Sequence, residues 1–187
     1  MNTYDFDKTI FYPDSSVTFI KHCFRKYPWI MLKNFPGVIP QAIAYVVNGG
    51  SAAKLKEKLF AFLKDIPDID SEVERFWAEH KDGIGEWYLR QKKDDDVIIS
   101  ASPEFLLEPV CREFGVNLIG TRMDKHSGKI DGENCHDKEK VRRFYERYPD
   151  GHSDEFYSDS MSDLPMAEIS DRAFMLKKHV ISPWLNK

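Results

Sequence analysis

The chain changes character near residue 83, and that change limits the folds open to it. Before that point there is one short strand, around Thr3 and Tyr4, and then about seventy residues of helical periodicity with no strand signal. Val17, Ile20, Cys23 and Phe24 share a helical face, with Ser15 and Ser16 placed to cap it and Pro28 to end it. Residues 28–47 are apolar and punctuated by prolines, which predicts one or two short helices. Leu55, Leu59, Phe62 and Leu63 make a second stripe, and Val73, Phe76 and Trp77 a third. After residue 83, helix and strand alternate. Ile84, Trp87 and Tyr88 mark a helix. Val97-Ile98-Ile99 is a wholly apolar, β-branched run, as expected of a strand covered on both faces. Leu107, Val110, Cys111 and Phe114 stripe a helix that Pro109 should kink and Gly115 should close. Strands follow at 116–119, at Glu155-Phe156-Tyr157, at 173–176 and around His179, Val180 and Ile181. Between them lie a hairpin over 120–134 and a helix striped by Val141, Phe144, Tyr145 and Tyr148. The expected fold is α/β: a three-layer, Rossmann-like parallel sheet core with an all-helical insertion after its first strand.

Composition narrows the partners. A net charge of −4 leaves no electrostatic footprint for a nucleic-acid backbone, and runs such as Lys54-Leu55-Lys56 and Arg142-Arg143 read as solvated helix faces. Three widely spaced cysteines without a C-x-x-C pair argue against a disulfide framework or a structural zinc site. The first residues show no signal-peptide pattern, and Lys33, Asn34, Pro36, Gly37 and Pro40 interrupt the most apolar stretch. The expectation is a cytoplasmic protein with no stable membrane insertion and no evident obligate protein partner.

The strand ends carry the chemistry. Asp5 and Asp7 stand two residues apart at the tip of the first strand, so both can face one site, where their repulsion calls for a shared proton or a cation. In open α/β sheets, ligands bind outside the carboxyl ends of the strands. The next such end delivers Ser100-Ala101-Ser102-Pro103. There Ser102 is expected as helix N-cap with Pro103 at the first helical position, leaving Ser100 free for a ligand. Lys140 falls in the first turn of its helix, against the dipole, as either a solvated group or one held for an anion. Asp159 and Asp163 lie four apart after a strand; in the plain structural reading one of them caps a helix. Four carboxylates converging without a divalent cation would be strongly unfavourable, and an all-oxygen set suits Mg²⁺ over Zn²⁺.

Asp5-Phe6-Asp7-Lys8-Thr9, strand-end Ser100, Glu139-Lys140-Val141 and Asp159-Ser160-x-x-Asp163-Leu164-Pro165 resemble, in order, the four motifs of the haloacid dehalogenase superfamily. The insertion resembles the C1 cap of its phosphoserine-phosphatase-like branch (subfamily IB), as do Ser100-Ala101-Ser102-Pro103-Glu104-Phe105 and Asn134-Cys135-His136-x-x-Glu139-Lys140-Val141. The resemblance implies a catalytic core of residues 1–13 and 83–187 and a cap of 14–82. It implies Asp5 as the nucleophile that forms an aspartyl-phosphate and Asp7 as general acid and base. Ser100 and Lys140 would then steady the phosphoryl oxygens, with Phe6, Asp7, Thr9, Ala101 and Asp14 around the phosphate and substrate. Mg²⁺ would be held by Asp5, Asp7 and Asp159 with support from Asp163. The dehalogenases lack the second acid, so a phosphomonoesterase for a small phosphorylated metabolite is expected.

Two positions depart from the branch. Asp14 stands where phosphoserine phosphatases carry a Glu that reads the substrate amine, so it is either a substrate reader or a helix cap. Lys8 takes the usual Gly or Ser slot, and no cap arginine for a substrate carboxylate is identified. Three alternatives stay open: a lipid-headgroup phosphatase that approaches a bilayer with residues 29–47, a phosphotransferase, and a catalytically silent phosphate-binding or regulatory protein with the same fold.

Overall fold

The computed structural model describes residues 1–177 and 180–184. Six strands form one sheet in the order β3-β2-β1-β4-β5-β6: β1 (Thr3–Tyr4), β2 (Val97–Pro103), β3 (Asn117–Thr121), β4 (Ser153–Ser158), β5 (Ser170–Lys177) and β6 (Val180–Pro183). All neighbours are parallel except β5 and β6, an antiparallel edge pair. Of the final predicted strand, His179 lies outside the described residues. The chain builds outward from β1 to β3 on one side and from β4 to β6 on the other. Strand order therefore reverses beside β1, where the sheet opens a crevice at its carboxyl end.

Alternation along the strands builds three layers. Tyr4, Ile98 and Tyr157 point to one face, and Val97, Ile99 and Phe156 to the other. On the second face the cover includes α8 (Lys138–Arg147) and α9 (Leu164–Glu168), through Phe144, Met166 and Ala167. On the first, α7 (Glu104–Phe114) packs through Leu106, Leu107 and Val110, and Gly115 closes it at φ 69°, a conformation glycine takes without strain. Pro109 lies inside this helix, which runs through it unbroken.

Between β1 and β2 come α1 (Ser15–Lys26), α2 (Pro28–Asn34), α3 (Val38–Asn48), α4 (Ala52–Phe60), α5 (Ile69–His80) and α6 (Glu86–Gln91). The chain leaves and re-enters the core as a paired stalk: Tyr12 N–H donates to Gly83 O at 2.8 Å and Gly85 N–H to Ile10 O at 2.7 Å. Ile84 belongs to this stalk, bridged to Phe11, and precedes the helix expected to contain it. Helices α1 and α5 share one buried cluster with the sheet, in which Phe19, Phe76 and Trp77 meet Phe6 and Phe11. Glu72 on α5, fully buried, binds His22, Lys26 and Tyr27 and so ties α5 to α1.

Two expectations are corrected. Asp14, not Ser15 or Ser16, caps α1, accepting from Val17 N–H at 2.9 Å. Strand β2 runs four residues past Ile99 through an irregular register, so Pro103 is the N-cap of α7 and Ser102 stays in the strand. The proline-punctuated residues 28–47 form two short helices, as expected, joined without a gap by a 3-10 turn. Pro36 opens a 3-10 turn (Phe35–Gly37), and Pro40 sits in the first turn of α3, where a missing N–H costs nothing. The result is a 20-residue helical stretch, Pro28–Val47, with mean hydropathy 1.2 and 6% buried. By length and composition alone it could cross a membrane.

Candidate active site

Asp5 follows β1 directly, its N–H donating to Tyr157 O of β4 at 2.8 Å. The turn after it closes on Phe6 O, which accepts the N–H groups of Thr9, Ile10 and Phe11. Lys8 takes φ 61° there, a left-handed conformation that explains why glycine suits this slot. The Phe6 ring is fully buried in the core among Phe11 and Trp77, so only its backbone stands at the site.

A cavity of about 560 Å³ opens over this turn. Asp5, Asp7, Lys8, Asp14, Ser100 and Ala101 line it, with Lys140, Asp159 and Asp163 from the other strand ends. Five of the expected groups are linked directly. Lys140 Nζ donates to Asp5 Oδ1 at 2.6 Å and to Asp163 Oδ2 at 2.8 Å, and Ser158 Oγ donates to Asp163 Oδ2 at 2.7 Å. Thr9 Oγ1 donates to Asp5 Oδ2 at 3.3 Å and accepts from Asp159 N–H at 3.0 Å, so it supports both loops without lining the cavity. Ser100 Oγ accepts from Ser102 N–H at 3.0 Å.

The electrostatics are those of a crowded anionic site. Burial first, then the Asp163 and Asp7 charges, push the Asp5 carboxyl up to about 7 against the pull of Lys140. Burial and then Asp14 raise Asp7, although Ser102 Oγ and Ser15 N–H donate to its carboxylate at 2.5 and 2.6 Å. Asp159 is also raised, by burial first and then by Asp163, with Lys8 opposing. Lys140 is raised well above the usual ammonium range because the Asp5 and Asp163 charges outweigh its burial.

Some expectations about site residues change. Asp14 both caps α1 and lines the cavity, so the two roles set against each other are compatible. Lys56, expected on a solvated face, lines the cavity and donates to Ala101 O at 2.7 Å and to Asn134 Oδ1. Its burial lowers the ammonium to about 8. Arg143, likewise expected in solvent, is buried and donates to Gly120 O, Glu133 O and Glu139 Oε1, fixing the base of α8. Ser16 and His136 also line the cavity, although the sequence marks Ser16 only as a helix cap and His136 only as part of a motif run. Lys56 stands three residues before Leu59, on the flank of the apolar stripe, and its charge alone suggests a solvated position.

The chemistry of the donor set suits a divalent cation. Asp5, Asp159 and Asp163 bring three carboxylates to the cavity wall, and Lys140 alone pairs two of them. Asp159 accepts no side-chain donor among the described residues. The excess negative charge and hard oxygen ligands match Mg²⁺.

A family model for haloacid dehalogenase-like hydrolases matches residues 3–168. Protein CicA of Caulobacter vibrioides is 32% identical over 189 positions, spanning 90% of this chain and 82% of that protein. Among solved structures, a protein of unknown function from Bordetella pertussis Tohama I superposes with a TM-score of 0.72 at 20% identity, covering 92% of this chain and 87% of that one. A phosphoserine phosphohydrolase-like protein from Francisella tularensis gives 0.59 at 13%, covering 96% and 89%. These structural likenesses concern the fold.

Proposed function

The chain belongs to the haloacid dehalogenase-like hydrolase family, and from that premise we propose that it is a phosphatase working through a covalent phosphoryl group on Asp5. The observation that carries this reading is the pair of strand-tip acids in one cavity: Asp5 against Lys140, and Asp7 in surroundings that favour its protonated form.

In the proposed reaction, an Asp5 carboxylate oxygen attacks phosphorus and the ester P–O bond breaks. The departing alkoxide takes its proton from Asp7. Asp7, now ionised, removes a proton from the water that attacks the aspartyl-phosphate, breaking the P–O bond to Asp5 and releasing inorganic phosphate. Lys140 and the Ser100 hydroxyl steady the non-bridging oxygens, and Lys140 screens the carboxylates so that a dianion can approach. Asp5, the Asp7 carbonyl and Asp159 would hold Mg²⁺, with Asp163 in support. Bound there, the ion supplies positive charge that keeps Asp5 ionised and polarises the phosphoryl group. Residues 14–82 form the cap in this reading and touch the rest of the substrate, through Asp14 and Lys56 among others.

The test is Asp5→Asn, checked for folding by circular dichroism and assayed on p-nitrophenyl phosphate. Turnover should fall by on the order of 10³-fold or more, and wild-type activity should vanish with EDTA and return with Mg²⁺. A near wild-type rate in the variant, or full activity after exhaustive chelation, would overturn the reading.

A further inference from the structure

The surface of α2 and α3 is apolar where a water-facing surface is normally polar. Trp29, Val46 and Val47 are 82, 80 and 72% exposed, and Leu32, Phe35 and Ile43 are at least half exposed. A contiguous exposed apolar face of this kind marks a surface that meets something.

Its charge setting says what. From Ser15 to Lys56 the chain carries six lysines and arginines and no aspartate or glutamate, although the whole chain has net charge −4. Apolar side chains with a tryptophan among them, on a segment whose own charges are all positive, suit a bilayer whose surface is anionic. The stretch lies along the domain and does not project from it. Met31 is buried, and Lys33 and Asn34 bind Asp65 at 3.1 and 2.9 Å.

The face also connects to the active site. Tyr45 of α3 is 44% exposed and lines the catalytic cavity, alongside Val17, Ile20, Leu55 and Leu59. Ile20 and Leu59 also wall a second hollow of about 100 Å³, whose other sides include Phe24, Met31, Phe35 and Val38. An apolar path thus leads from the cavity over Asp5 into the exposed face. A small, fully polar phosphate ester would leave this wall unused.

We propose that the α2–α3 face docks on an anionic lipid bilayer, and that the phosphate monoester hydrolysed at Asp5 is carried there on an apolar chain lying along this path. The second half rests on the phosphatase reading above. The docking half does not.

The test sediments the full chain with vesicles of equimolar phosphatidylcholine and phosphatidylglycerol, and with phosphatidylcholine alone. Wild type should pellet with the anionic vesicles, less with the neutral ones, and less again as salt rises. Fluorescence should shift to the blue on binding, since Trp29 is the exposed tryptophan and Trp77 and Trp184 are buried. The triple variant Trp29→Ser, Val46→Ser, Val47→Ser should lose vesicle binding by on the order of tenfold or more, while hydrolysing p-nitrophenyl phosphate at the wild-type rate. None of the three residues lines the cavity. Wild type left in the supernatant, or a triple variant that pellets equally well, would overturn the docking. So would a wild-type dimer in analytical ultracentrifugation that the triple variant converts to monomer, because a second copy would then be the occupant. For the substrate half, kcat/KM on phosphatidic acid in these vesicles should exceed that on glycerol 3-phosphate by on the order of tenfold or more, and equal values would overturn it. If Asp5→Asn still hydrolysed p-nitrophenyl phosphate while vesicle binding held, the phosphatase reading alone would fall.

Discussion

At the strand tips, Asp5, Asp163 and Lys140 are almost wholly enclosed, whereas along α2 and α3 a tryptophan, two valines and their neighbours face solvent. Each region reverses the usual sorting of side chains, in opposite senses. The enclosed charges cost desolvation, offset in part by their mutual hydrogen bonds. The exposed apolar groups forgo the burial that α1 and α5 obtain a few residues away. The lesson is that departures from ordinary sorting cluster where a protein meets its ligands, and that the two here are of opposite kinds, matching the two partners proposed above: a phosphate group inside, an apolar phase outside.

That contrast can be broken most severely in the part of the insertion that sorts normally. Phe76 on α5 is fully buried among Phe19, His22 and Trp77, and Phe76→Ala should cost about 3–5 kcal/mol in urea unfolding. Val46→Ser on the exposed face should stay within about 0.5 kcal/mol of wild type. Comparable losses at the two positions would mean that the α3 face is covered in the free protein. The next largest effect falls at the enclosed charges. Lys140→Ala should raise the activation barrier by about 2–4 kcal/mol, read as kcat/KM, while exposed Lys138→Ala should be nearly silent. The reverse pattern would move the phosphate-steadying role by half a turn of α8.

How much of this was legible in the sequence follows from where the information sits. Asp5, Asp7, Lys140, Asp159 and Asp163 are readable because each follows a strand or opens a helix, and strand ends of a parallel sheet converge. Gly115 is readable because its φ is positive. Lys56 and Arg143 are not, since a cation on a helix carries no mark of what the neighbouring element will offer it. Ser102 was misplaced by a single residue: an S-P pair fits a helix start equally well with the serine as cap or as last strand residue. The two short helices of residues 28–47 are readable from their apolar run and its prolines, but not the 3-10 turn that joins them, because a proline's effect depends on its position within a turn, and that position is set by packing.

A smaller effect refines the polar half of the contrast. After burial, Asp14 is the main influence raising Asp7. In the proposed reaction Asp7 must be protonated as an alkoxide leaves, so kcat/KM on an alkyl phosphate should fall as pH rises through the Asp7 pKa. Asp14→Asn keeps a helix-capping side chain but removes the charge. It should lower the Asp7 pKa and bring that alkaline fall to lower pH. An unmoved profile would leave Asp14 as a cap alone.

The most direct measurement is to quench the enzyme in acid during turnover of a phosphate-labelled ester with Mg²⁺ and to map the label by peptide mass spectrometry. The expected result is one hydroxylamine-labile phosphoryl group on the peptide containing Asp5, absent from Asp5→Asn. A label on a serine, histidine or another aspartate, in an enzyme turning over normally, would contradict it.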